Sequence, residues 1–442
     1  MSRALGDPRG PQARPSAKWE DVLAIAVHSW ISPAACANGR IIALHWPTHQ
    51  ADSKSRQGIG PGATHEAAVT GQAERRLDVL DGLRGIAVLL VLWYHVWEIS
   101  WLPAPFPWLE FVPETGFIGV HLFFFLSGFV IAYPFVRSRL LGTPRPTWGH
   151  FAYRRFAKIV PSYVLSIAIA YAIGYAQTQG DGHVWRDVIA HLLFVHTWWQ
   201  QTYGSINGVL WTLAVEVEFY CIFPIVWWCF SARPFLTAGA MIALSLAWRT
   251  LAARCCLHTS FELLEENLPG YLDIFACGML AAWAFVRYPK AHQSGRRSAL
   301  WPVVSLAGFA LLAALLANLY DNRAADQWPF VWQIDWRPLF GIVFGIIALG
   351  LLWSPPAFGR IFANAPLRFL AFVSYNLYLY HQIVARELLR LHVPPYIGDP
   401  HGNIGWGWQY TLVTFAVSIA LAALITYLFE RPLMRWASRR VP

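Results

Sequence analysis

Arg84 and His95 stand eleven residues apart in one apolar stretch, RRLDVLDGLRGIAVLLVLWYHVW. At about 3.6 residues per turn this spacing is close to three helical turns, so the two side chains share one face about 16 Å apart. An ionisable residue inside such a stretch faces a polar cavity or the interior of a bundle, because lipid exposure is costly. Imidazole is also the side chain best suited to take a proton near neutral pH. The plainer alternative makes His95 a hydrogen-bonding partner of a neighbouring helix and Arg84 a headgroup anchor. Two carboxylates, Glu216 and Glu218, interrupt VLWTLAVEVEFYCIFPIVWW. Two acids in one span need a cavity or a basic partner, which favours a functional role such as orienting a histidine or holding a hydroxyl.

Three further blocks carry polar groups. YRRFAKIVPSY sets Arg154, Arg155 and Lys158 at the entrance of a span. These cations suit phosphate binding, and they serve equally for positive-inside topology and headgroup contact. GFIGVHLFFFLSGFVIAYPF carries His121 and Ser127 with Gly119 and Gly128. The glycines fit close helix approach, and Ser127, with no G-x-S-x-G turn around it, fits an interhelical hydrogen bond. SYNLYLYHQIV puts Ser374, Tyr375, Asn376, Tyr378 and His381 in one span, as a cavity lining or as an interfacial belt. In YLFERPLMRW, Glu430 beside Arg431 reads as a helix terminus with a local ion pair.

The elements that must hold these groups are transmembrane helices. Of 442 residues, 56% are hydrophobic and 13% charged, about half the charged share of a soluble domain. Apolar blocks run over 83–102, 116–135, 158–176, 209–230, 234–251, 271–287, 301–320, 338–353, 367–385 and 410–429, lengths a bilayer core requires. The block 188–199 is shorter. If it does not cross, the basic loops RSRLLGTPRPTWGHFAYRR and RYPKAHQSGRR and the basic tail RPLMRWASRR share one side, and the acidic loop CCLHTSFELLEENLP lies opposite. Positive-inside bias then predicts ten spans with both termini cytoplasmic. Residues 1–74, rich in Pro, Gly, Ser and Arg, read as a disordered cytoplasmic extension, and 75–442 as the membrane domain. The net charge of +9 follows from the loops, and no nucleic-acid motif accompanies it. The six cysteines lack metal or redox spacing, and no His/Cys/Asp cluster implies a metal. No internal repeat of the kind many transporters carry is visible.

Taken together the blocks resemble acyltransferase family 3, integral membrane acyltransferases that modify surface polysaccharides, lipids and some antibiotics. The resemblance runs from about Arg76 to Trp436 through LDGLRGIAVLLVLWYH, GVHLFFFLSGFVI, YRRFAKIVPSY, WTLAVEVEFYCIFP, SYNLYLYHQ and FERP, in the family's order. The family's Arg, ten residues, His pattern falls on Arg84 and His95. Its pair of loop arginines falls on Arg155 and Lys158, so the second keeps its charge and loses the planar fork. The family glutamate falls on Glu216, and the position before LFFF, commonly acidic in relatives, is His121. Some members carry a further C-terminal hydrolase-like domain, which is not expected here.

The resemblance implies an all-α bundle in the plasma membrane that moves an acyl group, acetyl by preference, from cytoplasmic acyl-CoA to a hydroxyl-bearing acceptor. Acyl-CoA is then a co-substrate, with no bound cofactor. His95 acts as base or transient acyl carrier, and Glu216 orients the histidine or the acceptor. Arg84, Arg154, Arg155 and Lys158 hold the donor. Glu218, Tyr220, Tyr375, His381 and His121 form the acceptor side or support it. The competing expectation is a non-enzymatic transporter of a lipid-linked sugar or metabolite.

Overall fold

The computed structural model describes residues 61–176, 183–255, 261–289, 299–325 and 328–439, all within one compact unit, Ala51–Pro442. The long helices are α1 (Pro61–Ser100), α2 (Ile118–Leu141), α3 (Trp148–Ala172), α5 (Trp211–Ala232), α6 (Pro234–Cys255), α7 (Leu272–Arg287), α8 (Leu300–Ala324), α9 (Arg337–Trp353), α10 (Ala365–Arg390) and α11 (Ile404–Ile425), with a short α4 (Val184–Leu192) between α3 and α5. Among the described residues there is no strand. Helix α1 takes in residues 61–74, which the sequence reading left in the extension; the residues before them lie outside the described ones.

Among the described residues, eight helices are long and apolar enough to cross a membrane: α1, α2, α5 to α9 and α11. The chain is a multi-pass membrane protein. The two other expected spans are α3 and α10, which have 25 and 26 residues and ample length. They are too polar to qualify because they carry the basic loop residues and the Tyr375–His381 block. Helix α4 has nine residues, a rise of about 14 Å against a hydrocarbon core of about 30 Å, and a 3-10 turn at His196–Trp198 follows it. The block 188–199 therefore does not traverse the bundle.

A tertiary contact bears on the parity of the crossings. Glu430, just past α11, meets Lys158 in the first half of α3, and Lys158 lines the same cavity as Arg84 of α1. The last helix thus ends at the end of the bundle where the first begins, which needs an even number of traverses. The ten long helices meet that condition, and adding α4 would break it.

Helix α2 is the centre, with 78% of its apolar window buried against 22% for α8 and 28% for α11. Glycine permits the closest crossing. A Cβ on Gly128 of α2 would overlap the carbonyl of Phe275 on α7, and one on Gly278 of α7 would overlap that of Phe125 on α2. Gly119 lets α2 approach Ala87 of α1 in the same way. These contacts satisfy the close-approach expectation for Gly119 and Gly128 and add Gly278. At the end opposite Arg84, Arg249 pairs with Asp273 at 2.8 Å and Arg337 with Glu265 at 3.0 Å, and both arginines donate to the Gly270 carbonyl. This buried network ties α6, α7 and α9 together.

Candidate active site

Five helices enclose a cavity of about 100 Å³. Arg84 comes from α1, Phe123, Phe124 and Ser127 from α2, Arg155 and Lys158 from α3, Thr212, Glu216 and Tyr220 from α5, and Ser374, Tyr375 and Tyr378 from α10. The two helices too polar to count as apolar spans supply five of these residues, which accounts for their polarity. Arg84, Arg155 and Lys158 line this cavity together with Glu216. Glu216 Oε1 accepts from Ser127 Oγ at 2.6 Å and from the Tyr220 hydroxyl. Ser127 is thus the interhelical donor expected, and its partner is the cavity's acid. The Arg155 guanidinium stacks over the rings of Phe151 and Tyr220, 5.8 and 5.3 Å from their centroids. That packing orients a cation at the cavity wall.

Lys158 is ion-paired with a buried acid from the end of α11. Its Nζ donates to Glu430 Oε1 and lies 5.5 Å from the Tyr375 ring centroid. Glu430 Oε2 accepts from Asn376 Nδ2 at 2.8 Å, and Asn376 also donates to Thr426 Oγ1. The pairing of Glu430 with Arg431 expected from the sequence is replaced by this one; Arg431 lies over the Tyr427 ring instead. Adjacency along the chain favoured Arg431, but the carboxylate turns inward, where it is 5% exposed and can neutralise Lys158.

His95 lies outside the cavity wall. Its Nδ1 donates to Glu98 Oε2 at 2.8 Å, and its ring centroid is 4.9 Å from that of His381. His381 in turn is 5.6 Å from Tyr378, a cavity residue. The carboxylate that orients His95 is therefore Glu98 on the same helix, and Glu216 serves the cavity instead. Sequence reasoning missed Glu98 although the signal was present, since a carboxylate at i+3 shares a helix face with the histidine.

Three expected residues fall elsewhere. His121 is buried among Phe117, Tyr271 and Trp332, on the side of the Arg337 network. Glu218 accepts from the Trp198 indole of the loop before α5. Arg154 points away from the cavity and contacts His150 one turn earlier. Neighbours in sequence on a helix diverge by about 100°, which separates Arg154 from Arg155; a two-residue step separates Glu218 from Glu216. Tyr220, Tyr375 and His381 are all at the site or beside it.

The bundle thus builds a basic cavity on α1, α2, α3, α5 and α10, beside the helix-borne His95. The family's acyltransferase domain matches residues 77–427. The chain belongs to acyltransferase family 3. The match covers the helices from the start of the apolar part of α1 to just past α11. The peptidoglycan O-acetyltransferase OatA of Listeria monocytogenes is similar, 25% identical over 68% of this chain and 48% of its own length. The O-acetyltransferase OatA of Staphylococcus aureus is 24% identical over 70% of this chain and 50% of its own length. The chain spans about half the length of these curated relatives. No solved structure matches it.

Proposed function

We propose that the protein transfers an acetyl group from acyl-CoA to a hydroxyl of an envelope carbohydrate. The observation that carries this reading is the placement of Arg84, Arg155 and Lys158 in one cavity that abuts, through Tyr378 and His381, the His95–Glu98 pair. Arg84 and His95 are about 16 Å apart along α1. A donor held by its phosphates at the arginines must carry its acyl carbon on a long arm, as coenzyme A does. The O-acetyltransferase names of the relatives support an acetyl group, and one of them supports a peptidoglycan-like acceptor.

Glu98 fixes the proton on Nδ1 of His95 and leaves the Nε2 lone pair as the base. The acceptor hydroxyl gives its proton to Nε2 as its oxygen bonds to the acyl carbon. The carbon–sulfur bond then breaks, and the imidazolium returns the proton to the departing thiolate. The electropositive end, with Arg84, Arg155, Arg431 and Arg435, lies in the cytoplasm by the positive-inside rule, which puts both ends of the membrane domain there, in the plasma membrane.

Acetyl-CoA turnover by the purified protein in nanodiscs tests the reading. His95→Ala is expected to lower kcat by about a hundredfold or more, the scale of general-base catalysis, with insertion unchanged. Glu98→Gln is expected to lower kcat by about tenfold and leave the donor KM unaltered. Full activity of a correctly inserted His95→Ala protein overturns the mechanism. Donor binding without turnover favours the transporter.

A further inference from the structure

Two imidazoles meet beyond the cavity, and each has its Nδ1 committed. His95 Nδ1 donates to the Glu98 carboxylate at 2.8 Å. His381 Nδ1 lies 2.7 Å from the Tyr378 carbonyl and 3.2 Å from that of Leu377. A carbonyl only accepts, so this nitrogen carries the proton, and the neutral ring presents Nε2 as a bare acceptor. His381 is 1% exposed, and its Nε2 is buried with no hydrogen-bond partner. A buried acceptor left empty is costly, so such an atom marks a position that a donor fills.

Neutral His95, with its proton on Nδ1, cannot be that donor, although its ring is the neighbour at 4.9 Å. Its own Nε2 is a lone pair too, and two lone pairs repel. Each nitrogen needs an O–H or N–H from a third party. The way in is at His95 and Glu98, whose side chains keep 18% and 40% of their surface exposed while His381 lies behind them. A sugar ring supplies what this pair lacks, two hydroxyl donors on adjacent carbons.

We propose that His381 Nε2 accepts a hydrogen bond from a second hydroxyl of the acceptor while the first gives its proton to His95. His381 makes and breaks no covalent bond. It holds the acceptor through the hydroxyl that does not react, so the site selects polyhydroxylated acceptors over simple alcohols. This assignment rests on the acyl-transfer reading and adds to it a specificity-determining residue.

The test uses the full chain in nanodiscs with acetyl-CoA and three acceptors. These are methyl N-acetylglucosaminide, its monodeoxy analogue lacking the hydroxyl next to the one acetylated, and 1-propanol. The wild type is expected to favour the parent glycoside over the analogue lacking the neighbouring hydroxyl by about ten- to a hundredfold in kcat/KM. His381→Phe removes the acceptor atom and is expected to bring the parent glycoside down to the level of that analogue, with the rate on the analogue retained. His381→Gln, whose amide oxygen can accept, is expected to keep part of the preference, which guards against a folding defect in the Phe variant. Equal loss on all three acceptors in both variants, or a preference unchanged in both, overturns the assignment. An unchanged preference is also what a water molecule on Nε2 predicts. Absence of transfer by the wild type to any acceptor overturns the acyl-transfer reading and this one together, whereas transfer with no dependence on His381 overturns this one alone.

Discussion

Replacing Lys158 by methionine tests two roles of one side chain. The lysine side chain is 28% exposed and the side chain of its partner Glu430 is 7% exposed, so the substitution keeps the aliphatic stem and strands a buried carboxylate. Breaking a buried pair by removing one partner costs about 3–5 kcal/mol, and the partial exposure of Lys158 sets the expectation at the low end, about 3 kcal/mol. The Asn376 bond to Oε2 survives and prevents a larger loss. Adding Glu430→Gln removes the stranded charge and keeps an acceptor for Asn376. Lys158→Met with Glu430→Gln is therefore expected to regain about 2 kcal/mol, a coupling that independent sites lack. The donor constant should respond differently. If Lys158 also meets donor phosphate, both the single and the double variant raise the acyl-CoA KM by about tenfold. Arg155→Ala, which removes a cation held by aromatic stacking, should raise the same constant with little change in stability. Thermal inactivation in nanodiscs and steady-state kinetics on the four proteins read both quantities. A double variant no more stable than Lys158→Met refutes the structural pairing. A donor KM unchanged in Lys158→Met and Arg155→Ala refutes the phosphate clamp.

Other outcomes follow from separate features. Gly278→Leu should abolish folding of the membrane domain, because even a Cβ at this position overlaps the Phe125 carbonyl, and wild-type yield of monodisperse protein would contradict the packing. Stability should fall as pH drops from about 6.5 toward 4, because burial pushes the His191 imidazole of α4 down to about 4 from 6.5. In that window the unfolded chain binds a proton the folded one refuses, for a loss of up to about 3 kcal/mol. His191→Leu should flatten that slope in thermal scans between pH 7 and 5, and an unchanged slope would count against it. In a cysteine-free background, Trp185→Cys and Gln200→Cys, which flank the non-crossing segment at exposed positions, should label from the same side of the membrane. Labelling from opposite sides would overturn the even count of traverses.

The sequence by itself determined the fold class, the family motifs and the failure of 188–199 to cross, because each is written in local terms. Hydropathy over about 20 residues reports a span without reference to neighbours, and loop charge reports parity. It also located six of the fifteen residues that line the cavity, since Arg84, Arg155, Lys158, Glu216, Tyr220 and Tyr375 are polar groups in apolar helices and have nowhere else to face. Only the tertiary structure decided who meets whom. Glu430 lies 272 residues from Lys158 and one from Arg431, and the distant partner wins because packing of α3 against the end of α11 buries the carboxylate beside the lysine. The family resemblance gives Glu216 the orienting of either His95 or the acceptor. The bundle sets Glu216 and His95 apart, giving Ser127 and Tyr220 to one and Glu98 and His381 to the other. His121 is a candidate through its family position, and its helix face turns it toward Tyr271 and Trp332. A polar residue in a span announces that it has a partner, and the identity of that partner depends on helix rotation and order, which no local pattern encodes.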